Sequence, residues 1–270
     1  MRSVPGRSLT RILALLSLCG ALTACGLLPE VKDETASWSA NKLYTEARDS
    51  MNDGAYDKAI KLYEKLEARY PYGRYAQQAQ VEVAYAYFKQ NETASAIAAC
   101  DRFIKLHPNH PNIDYVFYLK GLIQFNEDQG FIGHLSNQDM SERDPKSMRE
   151  SFNAFKELTD RFPNSKYYAD SAQRMQYLVN AMALNELHVA RYYMKRGAPL
   201  AAANRAQQVV KNFPSTPASE EALFIMVKSY DELGLTDLRN DAERVLRQTY
   251  PQSAYLSGKG VSGEPWWKLW

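Results

Sequence analysis

Cys25 is the residue with the clearest chemistry. It closes the run Leu22-Thr23-Ala24-Cys25, behind Arg2, Arg7 and Arg11 and an apolar stretch over residues 12–18. Basic, then apolar, then small is the order of a cleavable export signal, and the apolar stretch is too short to span a bilayer comfortably. Elsewhere the reactive side chains do not assemble into a pattern. His107, His110, His134 and His188 lie scattered, without the spacing of a zinc site. Neither a glycine-rich phosphate loop nor a nucleophile elbow is present. The acidic residues recur at intervals that a solvated helix face explains, and nothing singles out a pair for acid–base work. This is the inventory of a binding protein, with no metal or other cofactor expected.

The tetrapeptide ending at Cys25 resembles the bacterial lipobox. That resemblance implies a diacylglyceryl thioether on the cysteine, cleavage before it, and acylation of the new amino terminus. Residues 1–24 are then a signal peptide and 25–39 a lipidated tether, with Pro29 and mixed charges in it. The alternative is an ordinary signal with a chance cysteine. Gly26, where an aspartate would favour inner-membrane retention, implies the periplasmic face of the outer membrane. Two lipid signals already suffice for stable attachment. Cys19 leaves with the signal, so Cys100 is the remaining free thiol and no intramolecular disulfide is available. The formal charge of +2 also changes: without the three arginines, 30 basic face 31 acidic side chains, about −1. With no block of like charge, nucleic acid is excluded as a partner.

The elements that carry the remaining residues are set by proline. Tyr70-Pro71, His107-Pro108, Phe162-Pro163, Phe213-Pro214 and Tyr250-Pro251 punctuate the chain at intervals of 37, 55, 51 and 37 residues. Proline cannot continue a helix and pushes its predecessor towards an extended conformation, so each pair ends one helical unit. A fixed period with insertions marks a repeat protein, and five stops imply five units. The first unit sets the pattern: Ala47, the turn Asp53-Gly54, then Ala59, Tyr63, Leu66 and Pro71. This looks like the tetratricopeptide repeat, in which small residues let two helices approach and large ones fill the groove to the next pair. The expected fold is all-α, an α-solenoid of five tetratricopeptide-like helix pairs.

The second unit repeats the register as Ala84, Ala96, Cys100, Phe103 and Pro108, which makes Cys100 a small core residue. Gly121 opens the third, whose second helix, with Ser151, Phe155 and Leu158, starts 18 residues late. The insertion, 126–143, is polar and glycine-containing and holds Phe131 and Ile132; as a loop on one face it reads as a partner-binding segment or a plain surface loop. A helix without proline or glycine runs from about Lys166 to Arg196, a spine of roughly 45 Å. The fifth unit puts Arg239 and Glu243 where the others have small or apolar residues, as a solvent-facing cap does. Residues 256–270 form a glycine-rich tail ending in Trp266, Trp267 and Trp270; it docks on the body, meets a partner, sits at a membrane interface, or stays disordered.

Several segments give a narrower resemblance: Arg69-Tyr70-Pro71-Tyr72-Gly73, Tyr75-Ala76-Gln77-Gln78, Asp101-Arg102-Phe103-Ile104, His110 to Val116, Arg143-Asp144-Pro145, and Arg196-Gly197-Ala198 with Asn204-Arg205. Together they resemble the BamD family, lipoproteins of the outer-membrane β-barrel assembly machine, over nearly the whole mature chain. The resemblance implies a division of labour. Repeats 1–3, residues 40–163, bind the carboxy-terminal signal of unfolded outer-membrane proteins. Repeats 4–5, residues 164–255, dock on a periplasmic domain of the central barrel-forming subunit, and an accessory lipoprotein lies along the amino-terminal half. Tyr70 and Gly73 match the family's substrate-contacting turn, and Tyr72 and Tyr75 beside it are expected to be exposed. Asp57 stands where some members have arginine. Arg205, with Asn204 and Arg196, matches the docking region, although Arg205 has a second reading as a cap or partner of a nearby acid. Tyr85 and Tyr87 either border the substrate groove or pack between helices. A periplasmic scaffold that regulates cell-wall enzymes shares the anchor and the repeats, but it does not predict these segments.

Overall fold

A computed structural model describes residues 33–125 and 145–256. The expected lipidation site, the 126–143 insertion and the tryptophan-ending tail lie outside the described residues. Ten helices and no strand occur among the described residues: α1 (Ala40–Asn52), α2 (Tyr56–Arg69), α3 (Arg74–Lys89), α4 (Thr93–Leu106), α5 (Ile113–Phe125), α6 (Pro145–Arg161), α7 (Tyr168–Lys195), α8 (Pro199–Asn212), α9 (Ala218–Glu232) and α10 (Thr236–Thr249). Consecutive helices pair as five hairpins, and each hairpin packs on the next. This is the expected α-solenoid.

The sequence period appears directly in the backbone. Each second helix ends on the same bond, from the N–H before the proline to the carbonyl four residues back: Tyr70 to Leu66, His107 to Phe103, Phe162 to Leu158, Phe213 to Val209 and Tyr250 to Leu246, each 2.8 Å. The turns inside four of the hairpins are equally alike. Ala55, Glu92, Ala198 and Leu235 donate to the carbonyls of Ser50, Tyr87, Tyr193 and Tyr230 at 2.8–3.0 Å, the closure of a Schellman motif. Its left-handed position is Gly54 (φ 74°) in the first pair and Asn91 (φ 60°) in the second, so asparagine does there what glycine does elsewhere.

Small residues sit where helices touch. Ala47, Ala59, Ala84, Ala96, Ala190 and Ala202 are buried, and Cys100 with them. Gly121 is the extreme case: a methyl group there would lie 2.5 Å from the Phe155 ring, while Ser151 donates its hydroxyl to the Gly121 carbonyl at 2.9 Å. Helix α7 has 28 residues, about 42 Å. Its first half packs with Met148 and Phe155 through Leu178, Ala181 and Met182, and its second half joins α8 and α9 through Leu187, Ala190 and Met194. The expected spine is therefore one continuous helix shared by both ends. In α10 only Ala242 and Leu246 are buried, Arg239 and Glu243 form a partly exposed ion pair, and Leu238 and Val245, with Leu235 just before the helix, remain exposed.

One boundary differs from expectation. Residues 33–39, read as the end of the tether, fold as turns against α1 and α2. Thr35 is buried, and Asp33 meets Lys65 and Arg69. Charges 32 to 36 residues apart carry no periodic signal, which is why composition alone assigns this stretch to a linker.

Candidate functional site

The turn between α2 and α3 is built to present side chains. Tyr70 ends α2 outside the helical region (φ −129°, ψ 65°), its hydroxyl donating to the Trp38 carbonyl at 2.9 Å, with 39% of the residue exposed. Tyr72 is 92% exposed. Gly73 has φ 97° and ψ 176°, a region open essentially to glycine alone, and a Cβ there would meet nothing within 4 Å. It is glycine for the sake of the backbone, which must reverse before α3.

Tyr75 departs from expectation. It is half-buried: its hydroxyl donates to Asn41 Oδ1 at 3.0 Å, its ring lies 5.4 Å from Tyr44, and Arg74 sits 5.0 Å above it. It points towards the fold because α1 packs along the same side of α3. Of the four expected contact residues, Tyr72 is free, Tyr70 and Gly73 shape the turn, and Tyr75 belongs to the α1–α3 seam.

Pro71 also forms part of the wall of a groove of about 730 Å³ between α2, α3 and α4. Ala68, Ala98, Ala99 and Val83 supply its apolar lining, Tyr87 a flat aromatic wall, and Glu64, Glu67, Gln80, Ser95 and Arg102 its polar groups. Burial pushes the Glu67 carboxyl up, against the pull of Arg102 at 3.0 Å and of Gln80, whose amide donates at 3.3 Å. Gln80 in turn accepts from His107 Nε2 at 3.0 Å. Tyr87 is partly packed between helices and also faces this groove, whereas Tyr85 packs against Phe88. A second hollow, about 400 Å³, holds Asp101, Phe117, Lys120 and Gln124, each 37 residues on from Glu64, Gln80, Val83 and Tyr87. There Lys120 bridges to Asp101 at 2.6 Å and Gln124 to Glu150 at 3.3 Å.

At the other end, Asn204 and Arg205 are exposed on α8 and line a hollow of about 470 Å³ with Glu186, Tyr193, Ala201 and Gln208. Arg205 pairs with Glu186 at 3.1 Å, the nearby acid of its second reading, while its side chain stays 46% exposed. Arg196 does not line this hollow; it follows α7 and lies 5.9 Å above Tyr192. Glu186 and Tyr193 had no marker in the sequence, since one acid and one aromatic in a long helix are unremarkable there. Among the described residues, no group of His, Cys, Asp and Glu could hold a metal ion, and no helix is long and apolar enough to cross a membrane.

Stacked helix pairs of one recurring pattern define a tetratricopeptide-type α-solenoid. Residues 36–246 match the family model YfiO, described as outer membrane lipoprotein. The outer membrane protein assembly factor BamD of Neisseria meningitidis serogroup B (strain ATCC BAA-335 / MC58) is 50% identical over 264 residues, covering 96% of this chain and 99% of that one. The BamD of Vibrio cholerae serotype O1 is 37% identical over 231 residues (86% and 93%), and that of Haemophilus influenzae 33% over 234 residues (87% and 88%). The chain belongs to the BamD family.

Proposed function

We propose that this protein is a non-catalytic subunit of the outer-membrane β-barrel assembly complex, held by lipid on Cys25 to the periplasmic face of the outer membrane. Its first three repeats take the carboxy-terminal signal of unfolded outer-membrane proteins. Its last two dock, through Asn204 and Arg205, on the periplasmic domain of the central barrel subunit, with accessory lipoproteins alongside. The observation that carries this reading is the groove walled in part by Pro71, the residue before the exposed Tyr72, in a chain that matches relatives named as assembly factors over nearly their whole length. An unfolded strand that ends in alternating aromatic residues needs flat amphipathic surfaces with hydrogen-bonding tips; Tyr72 and Tyr87 offer them, and Tyr70 holds the turn that presents Tyr72.

The test is recovery of the tagged protein from detergent-solubilised membranes, followed by identification of the chains that come with it. An outer-membrane barrel subunit is the expected companion. Recovery of cell-wall synthases without one would overturn the proposal in favour of a cell-wall scaffold.

A further inference from the structure

The chain ahead of α1 is fastened to the turn that carries Tyr72. Asp33 Oδ1 accepts from Lys65 Nζ at 2.8 Å and from the Thr35 hydroxyl at 2.7 Å. The Arg69 guanidinium engages the second Asp33 oxygen and the Thr35 carbonyl. One residue on, the Tyr70 hydroxyl holds the Trp38 carbonyl. Asp33 is thus bound to the last turn of α2, directly before Pro71.

We propose that Asp33 is a positioning residue, whose clamp on Lys65 and Arg69 sets where the anchored chain leaves the body and so keeps the Tyr72 turn close to the bilayer. This rests on the reading of Cys25 as the lipidated residue. Eight residue steps separate Cys25 from Asp33, and covalent geometry limits them to roughly 28 Å. If the chain were free as far as Ser39, the leash would have fourteen steps and a limit of roughly 50 Å. The clamp therefore removes about 20 Å from the reach of the anchored site. Because the ion pairs are solvent-exposed, salt screens them, and the shortening should weaken as ionic strength rises.

The test uses the full lipidated protein on vesicles of phosphatidylethanolamine and phosphatidylglycerol containing an acceptor-labelled lipid, with a donor dye on Tyr72→Cys. Cys100 is buried and does not compete for the dye. Energy transfer should fall when Asp33→Ala is added and return in large part with Asp33→Glu; equal transfer in the parent and Asp33→Ala would overturn the proposal. Flotation controls separate this from a failure of the lipid reading: the parent should float with the vesicles and Cys25→Ala should not. Should the parent fail to float, the lipid reading falls and the shortened leash with it. Hydrogen exchange on the unlipidated chain decides the clamp alone. The amides of Ala36 and Trp38, which donate to Asp33 and Thr35 carbonyls, should exchange several-fold faster in Asp33→Ala, and unchanged protection would remove Asp33 from that role.

Discussion

A methyl group added at Gly73 would meet nothing, yet φ 97° with ψ 176° makes any L side chain costly, by about 1–3 kcal/mol. Gly73→Ala should therefore lower the urea midpoint by that equivalent. Tyr72, one residue earlier and 92% exposed, should behave in the opposite way. Tyr72→Ala should change stability by no more than about 0.5 kcal/mol, while weakening capture of a peptide with a barrel protein's carboxy-terminal sequence, measured by fluorescence anisotropy. Cys100 answers a different question. Burial pushes its thiol up to about 12, so it should resist maleimide at pH 8 in the folded protein and react once urea unfolds the chain. Since the folded-state value is the raised one, this group's contribution to stability is intact below the ordinary thiol pKa of about 8.5 and is lost as pH climbs towards 12.

At the scale of helices, the hairpins were legible because each proline stop ends in one recurring bond and each close approach demands a small residue. Even Gly121 could be placed from its register with Ala84, although only the Phe155 ring above it explains why glycine is there. Periodicity reports which face of a helix is buried, not which exposed charges meet, so Asp33 with Lys65, Arg205 with Glu186 and Arg191 with Glu221 were invisible. Tyr75 misled for a related reason, because nearness to a turn says nothing about the helix packed behind it. The Arg191–Glu221 bond joins α7 to α9 bidentately at 2.7 and 2.6 Å, and the Tyr255 hydroxyl donates to the same carboxylate at 3.1 Å. Glu221→Gln should cost about 1–2 kcal/mol, less than a fully buried pair because Arg191 is partly exposed, and should be read by thermal denaturation. It should also let the Tyr255 phenol ionise at lower pH, since burial and Glu221 together hold that group up.

For the molecule as a whole, α7 decides whether its two surfaces act together or separately. The Tyr72 turn lies between the first and second repeats and the Arg205 hollow in the fourth, where α7 supplies Glu186 and Tyr193 while its first half packs on the third repeat. They share no side chain, so substitutions at the two should act independently. Arg205→Glu places a second carboxylate beside Glu186, which now accepts from Arg205 at 3.1 Å. It should reduce co-recovery of the barrel subunit while leaving helicity and peptide capture at Tyr72 intact; Tyr72→Ala should do the reverse. The swap Arg205→Glu with Glu186→Arg separates two causes of that loss. Because it restores the local pair, recovery of docking would mean that Arg205 serves only to hold α8 on α7. Continued loss would mean that the partner reads the positive charge at position 205 itself.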